Sequence, residues 1–371
     1  MKRSSFITIA AVTALLLTGC SAKNSSSECC SDSSQTDTAA STQEAETTAS
    51  ENNELTPQTL SYGEAEYTSA DFSDYSTQDF SFSINNDFQL NDSGAEQSES
   101  SKSYTFDNPK AQLVLHSFDA YAEPKTLEDV FYSISSSSPD VTNIYTEHDE
   151  SDGIYSFLIT SVTDYDAATV AVAIKNGYAF EVEAPSYPVD NIQTVVPMIK
   201  DIIESAKLIS DKEPPSGIGN IDNDIMTLEV PDNMVVTDEM SIGFESADYN
   251  NTSRYNVLYK CAENKEQYQS SINITIFEKN EGDTAEKIIT EMNATYNQSL
   301  NTADTVQNHS EFKGIPAEEL SMTLPDHSNS ALRYIVFEKD KYIVQINTLV
   351  SENSSEIKED FNNLIDSIKL K

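Results

Sequence analysis

In this chain of 371 residues Asp and Glu outnumber Lys and Arg by 62 to 22, leaving a net charge of −40. Such a field repels nucleic acid and anionic head groups, so charge-driven binding to either is excluded, while cationic partners are not. An apolar share of 38% with 18 Tyr and 15 Phe supports two domains of ordinary size plus a good deal of unstructured chain.

Residues 1–19 read as a lipoprotein signal peptide. Lys2 and Arg3 give a positive start, Phe6 to Leu17 is an apolar run, and Leu17-Thr18-Gly19-Cys20 closes it. The run is too short to span a bilayer comfortably. Leu17, Thr18 and Gly19 are the expected signal-peptidase recognition residues, and the Cys20 thiol is the expected site of lipidation. The stretch resembles a bacterial lipoprotein signal with its lipobox, which implies diacylglycerol on Cys20 and cleavage before it. An ordinary signal peptide or an N-terminal membrane helix is the alternative. The expected location is the extracytoplasmic face of the cell membrane, held there by the lipid.

Residues 20–78 are Ser, Thr, Ala, Asn, Gln, Asp and Glu with few apolar residues, and are expected to form a disordered acidic stalk. A flexible coil of this length spans on the order of 40 Å, and self-repulsion stretches it further. Tyr62, Tyr67, Phe72 and Tyr75 mark a candidate start of order near its end. Of the four Cys, Cys29 and Cys30 are adjacent, and neighbours rarely bridge without backbone strain. Cys261, in a strand-like stretch, is expected to pack as a small hydrophobe.

The rest of the chain repeats. Residues 79–209 and 225–371 are two modules joined by a stiff linker, 210–224, that contains Pro214-Pro215-Ser216-Gly217 and should hold the modules in contact or at a restricted angle. Leu127, Val130, Phe131 and Ile134 make a helical stripe behind Thr126, an expected N-cap. Ala285, Ile288, Ile289 and Met292 repeat it behind Thr284. The closing helices also match: Val195, Ile199, Ile202, Ile203 and Ala206 correspond to Ile357, Phe361, Leu364, Ile365 and Ile368. Pro197 is expected in a first turn, where its missing N–H costs nothing. Asn176-Gly177 marks a hairpin, since both residues accept positive φ. Asp340-Lys341 is its weaker counterpart. Each module ends in Ser-x-Lys-Leu, at Ser205 and at Ser367.

The order of strands, helix, antiparallel strands and helix implies an α+β fold: two tandem α-β sandwich domains, each an antiparallel sheet with flanking helices. Here the chain resembles the PsbP-like family, including its bacterial DcrB-type and extracytoplasmic lipoprotein members. The residues concerned are Met226-Thr227-Leu228-Glu229-Val230-Pro231-Asp232-Asn233-Met234, Gly314-Ile315-Pro316-Ala317 and Ser367-Ile368-Lys369-Leu370. The first module keeps Gly153-Ile154 and Ser205-Ala206-Lys207-Leu208 but lacks the Pro at Asn85-Asn86-Asp87-Phe88. The resemblance implies a binding or assembly role rather than catalysis.

No catalytic or metal-binding set is expected. His116, His148, His309 and His327 are scattered, with His148 and His327 beside expected turns. Gly217-Ile218-Gly219-Asn220 lacks the third glycine of a phosphate cradle, and Asn220-Ile221-Asp222-Asn223-Asp224 lacks the central Gly and final Glu of a calcium loop. Asp149-Glu150-Ser151-Asp152-Gly153 and Asp164-Tyr165-Asp166 are acidic turns. The expected function is a non-catalytic binding or scaffolding lipoprotein of the envelope with a protein partner and no cofactor. The alternative is a ligand- or substrate-capturing lipoprotein associated with a transport system.

Overall fold

The computed structural model describes residues 55–91, 97–98, 101–209, 213–237, 252–299, 305–324, 330–351 and 354–371. Leu17, Thr18, Gly19, Cys20, Cys29, Cys30 and His327 lie outside them. Among the described residues no helix is long and apolar enough to cross a membrane.

The first unit runs β1 (Phe72–Ser76), β2 (Phe80–Asn85), β3 (Gln89–Leu90), β4 (Gln97–Ser98), β5 (Ser101–Lys102), β6 (Tyr104–Asn108), β7 (Ala111–Asp119), α1 (Pro124–Ser136), β8 (Asn143–Ser151), β9 (Ile154–Val162), β10 (Asp166–Lys175), β11 (Tyr178–Pro188), α2 (Ile192–Ser205) and β12 (Lys207–Leu208). The second runs β13 (Asn220–Asp222), β14 (Met226–Glu229), β15 (Met234–Thr237), β16 (Ser253–Tyr259), α3 (Lys265–Tyr268), β17 (Ser271–Glu278), α4 (Ala285–Ser299), β18 (Val306–Phe312), β19 (Ile315–Leu324), β20 (Ser330–Lys339), β21 (Tyr342–Ser351), α5 (Ser355–Ser367) and β22 (Lys369–Leu370).

Each unit is built on a seven-stranded antiparallel sheet, in the order β3-β6-β7-β11-β10-β9-β8 and β15-β16-β17-β21-β20-β19-β18. A three-stranded sheet (β1-β2-β12 or β13-β14-β22) and the closing helix cover its inner face. In the first unit Phe80, Phe82, Leu115, Phe180, Ile199 and Ile202 fill this layer, and Phe82 stacks on Phe180 at 4.9 Å. The middle helix packs on the opposite face: Leu127 and Phe131 of α1 meet Phe157, Ile159 and Val172. In the second unit Ile288, Ile289 and Met292 of α4 meet Leu320 and Val336. The two tandem sandwiches expected from the repeat are therefore present. The Ser-x-Lys-Leu ends have a structural cause. Each helix stops at Ser205 or Ser367, and the Lys-Leu pair becomes a short strand that pairs with the second strand of its own unit, β2 or β14.

Turn chemistry fixes the long hairpins. Asn176 and Gly177 take φ of 53° and 77°, and Lys313-Gly314 repeats that pattern with 52° and 81°. Asp340 stands at 55°, a value Asp tolerates better than most residues.

Several expectations need correction. Residues 55–78 are not stalk, because Leu60, Tyr62, Ala65, Tyr67 and Tyr75 pack on the first unit's core and β1 pairs along β2. Widely spaced aromatics bury enough surface to hold an otherwise polar segment. The linker is shorter than 210–224, since β13 belongs to the second unit and Ile221 is only 2% exposed. Thr126 is not a cap: α1 starts at Pro124, behind Glu123, and Thr126 is buried inside the first turn. Thr284 does cap α4, its Oγ1 accepting from the Lys287 N–H at 3.1 Å. Pro197 falls past the first turn, because the helix opens at Ile192. Cys261 is exposed rather than packed, because its strand ends at Tyr259. His148 sits within β8, not beside a turn.

The units touch through backbone. Ala122, between β7 and α1, forms a parallel bridge with Ala262. The Ala262 N–H donates to the Tyr121 carbonyl at 3.0 Å, and the Glu123 N–H to the Ala262 carbonyl at 3.1 Å. Ala122 joins the second unit's core, and Tyr268 packs against both. The linker locks onto each side. A Cβ on Gly177 would stand 2.9 Å from Pro215 Cδ, and one on Gly217 (φ +56°) would stand 2.6 Å from the Val236 carbonyl oxygen.

Candidate functional site

A cleft of about 650 Å³ opens where the two units meet. The segment leading into α1 (Tyr121 to Pro124) and the β10–β11 hairpin tip (Lys175 to Gly177) form one wall, Pro214 and Pro215 the floor of the join, and Asn233, Lys260, Cys261 and Gln267 the other. Hairpin geometry puts the tip there, and Ala122, one half of the backbone bridge to Ala262, is part of the lining. The lining mixes Glu123, Glu150, Asp232 and Glu263 with Lys175 and Lys260, so the cleft can meet a ligand of either charge through different side chains.

The groups in it are restrained. Cys261 Sγ donates to Glu123 Oε1 at 2.8 Å. That hydrogen bond, with some burial and the negative charge of Glu123, pushes the thiol up to about 11, so it is protonated at neutral pH and a poor nucleophile. Tyr155 donates to Glu128, and burial together with that carboxylate holds its hydroxyl well above the usual tyrosine range. His148 stacks on Tyr155 at 6.2 Å, with Nδ1 3.9 Å from Glu128 Oε1. This is a polar brace between α1 and the sheet.

A second set lies where the second unit covers the first sheet. Glu181 on β11 is 5% exposed. Burial, then the nearby charge of Glu183, pushes its carboxyl up to about 8. His116 Nε2 on β7 stands 3.4 Å from its Oε2, and burial pulls the imidazole below its ordinary value. Tyr268 of α3 closes the set, raised by burial and by the charge of Glu181. A carboxyl at the seam is thus largely neutral at pH 7.

A third feature was only partly visible in the sequence. The chain from Leu55 to Tyr67 straps the first unit. Gln58 pairs in parallel with the outer edge of β8, its N–H donating to the Ile144 carbonyl at 3.0 Å and its carbonyl accepting from Thr146 at 2.9 Å. Tyr62 and Lys200 both donate to Glu147, and Lys200 lies 5.7 Å over the Tyr62 ring. Burial opposes the charge on Lys200, but the hydrogen bond to Glu147 carries the ammonium up to about 12. The hydroxyl of Tyr67 hydrogen-bonds Asp201. A cleft of about 450 Å³ borders this strap, between Lys200 and Glu204 of α2 and the β8–β9 hairpin.

The structure does not bring the three described histidines together. His116 and His148 lie on different strands, and His309 pairs with Glu318 at 2.6 Å on the exposed side of β18. Among the described residues no three His, Cys, Asp or Glu side chains are grouped to hold a metal. Asn220 to Asp222 are strand β13 rather than a ligand loop.

No family model matches the sequence, and no curated protein matches it. Among solved structures, the chain is similar to the solution structure of cyanobacterial PsbP (CyanoP) from Synechocystis sp. PCC 6803. Identity there is 10% and the TM-score 0.30, over 44% of this chain and 99% of that one. It is also similar to a chain of the crystal structure of the Tle4–Tli4 complex, at 12% identity and TM-score 0.25, over 72% of this chain and 94% of that one.

Proposed function

We propose that this protein is an envelope lipoprotein that works as a non-catalytic binding or scaffolding module, tethered by lipid on Cys20 to the outer side of the cell membrane. The observation that carries the reading is the join: two sandwiches bridged by backbone at Ala122 and Ala262, with Pro215 close against Gly177, share a cleft lined from both. A preformed concave surface suits recognition, since little ordering entropy is lost on binding. The protonated Cys261 thiol and the bracing roles of His148, Tyr155 and Glu128 support binding over turnover. The anchor rests on Lys2, Arg3 and Leu17-Thr18-Gly19-Cys20.

The test is crosslinking in intact cells followed by co-purification from the envelope. A recurrent protein partner is expected, and recovery of monomer alone under exhaustive crosslinking contradicts the reading. Fatty-acid labelling that disappears in Cys20→Ser tests the anchor independently. The alternative, ligand capture for a transport system, is favoured by the same cleft. A small-molecule thermal shift abolished by Lys260→Glu in the cleft wall would select it.

A further inference from the structure

The second unit fills a place that the first leaves open. The β8–β9 and β18–β19 hairpins turn alike: Asp152 and Gly153 take φ of 54° and 70°, Lys313 and Gly314 52° and 81°. With Gly153-Ile154 matched to Gly314-Ile315, Ser151 takes the place of Phe312 and Asp152 that of Lys313. The matched helix ends put Glu204 of α2 in the place of Asp366 of α5. Phe312 is 7% exposed and stacks on Phe337 at 4.9 Å, in the core layer that α5 closes. Lys313 lies 5.8 Å over the Phe312 ring, and its ammonium donates to the Asp366 carbonyl at 2.6 Å. In the first unit Ser151 is exposed, and Ala173 stands where the second has Phe337. A groove of about 450 Å³ runs there between the β8–β9 hairpin and α2. Buried Leu158, Ala171 and Ile203 line its floor, and Glu147, Asp149 and Glu204 stand at its rim.

We infer that this groove on the first unit is a docking site for a partner segment that carries an aromatic side chain next to a basic one. The ring would enter beside Ser151 onto the apolar floor, and the base would reach Glu204 and Asp149, as Phe312 and Lys313 do for the second unit from within its own chain. The inference rests on the binding-module reading and names a site and a partner chemistry for it. Aromatic anchors seated in pockets carry much of the energy of protein interfaces, and a basic side chain can lay its stem on apolar surface with its charged head at the rim. The sign of the partner follows from the lining. Lys200 is tied to Glu147 beneath the Tyr62 ring and stands 3.9 Å from Glu204, so three carboxylates share one ammonium. The net charge of −40 draws basic segments toward this rim and repels acidic ones. A second copy of the chain carries the same repelling charge, and its own Phe312 and Lys313 are already seated.

The probe is the synthetic peptide acetyl-Gly-Phe-Lys-Gly-amide, titrated into the full chain and followed by amide chemical shifts, which read affinity and location together. Saturable shifts at Ser151, Ser156, Ala171 and Glu204 are expected. Replacing the peptide's phenylalanine by alanine should weaken binding by about tenfold, and replacing its lysine by glutamate by about threefold. Glu204→Lys should weaken it by about threefold as well. Ser151→Phe combined with Asp152→Lys gives the first unit the plug of the second and should abolish binding, with the positive φ at residue 152 already matched to that of Lys313. Glu204 is 63% exposed on its side chain, so its substitution decides the matter even if the double variant fails to fold. Absence of saturable shifts, shifts confined to the cleft between the units, or affinity indifferent to both the peptide's lysine and Glu204→Lys overturns the proposal. In intact cells, a crosslinked partner that the folded double variant still captures overturns the groove and leaves the binding-module reading standing. If the wild-type chain captures no partner, that reading falls separately, whatever the peptide does.

Discussion

Among the described residues, the first unit is covered twice and the second hardly at all. Its β8 edge wears the strap of residues 55–67, and the half of its outer sheet face beside β7 and β11 is closed by Tyr268 of the second unit. The second unit lends α3 to its neighbour and takes Ala122 into its own core in return. Duplicated folds thus diverge in exposure rather than in core. The recurring residues, Val130 and Ile288 or Ile199 and Phe361, are those that packing demands, while the segments that cover the two copies differ.

The largest expected effect breaks the join. Tyr268→Ala removes a half-buried aromatic shared by both units and should cost about 2–3 kcal/mol. A single thermal transition should split into two, with the first unit melting earlier. Retention of one transition at the wild-type midpoint would mean the units do not depend on each other. Next is Gly217→Ala, where a positive φ and the approach of Val235 and Val236 leave no room. Denaturant unfolding should show a loss of about 2–3 kcal/mol.

The seam also predicts a pH dependence. Glu181 is held at about 8 in the fold against an ordinary 4.5, so the native state binds its proton more tightly than the unfolded chain. The stability this confers is fully present below pH 4.5 and is lost as pH rises toward 8. His116, lowered by burial, acts oppositely, costing stability as pH falls through its ordinary 6.5. Glu181→Gln should therefore stabilise by on the order of 1–3 kcal/mol at pH 8 and by little near pH 4. A pH-independent difference would place the carboxyl outside the seam's control. The smallest effect concerns the strap: Tyr62→Phe removes one partly exposed hydrogen bond to Glu147 and should cost about 0.5–1.5 kcal/mol. Limited proteolysis near residue 60 should quicken accordingly.

Much of this fold was legible in the sequence because core periodicity survives duplication. The stripes at Leu127 and Ala285, the closing helices and the Asn176-Gly177 turn all folded as expected. What was not legible depends on contacts between distant segments. Residues 55–67 read as stalk because their composition is polar, and only Tyr62 and Tyr67 hinted at order. Helix α3 is four residues long, too short for a periodic signal, and Asn264 capping it looks like any loop asparagine. Cys261 read as buried because strand-like residues precede it, but burial at a strand's end depends on what lies across, here Glu123. Of the candidate site, Pro214-Pro215 was foreseen as a stiff join, but the cleft around it required the bridge between Ala122 and Ala262.

The difference between the two units can be measured residue by residue through amide hydrogen exchange on the full chain. The Thr146 amide, which donates to the Gln58 carbonyl at 2.9 Å, should exchange slowly, while its counterpart at Gln307 should exchange at the rate of a solvent-facing edge. Equal protection at both positions would contradict the account of one edge paired by the strap and one without a paired strand among the described residues.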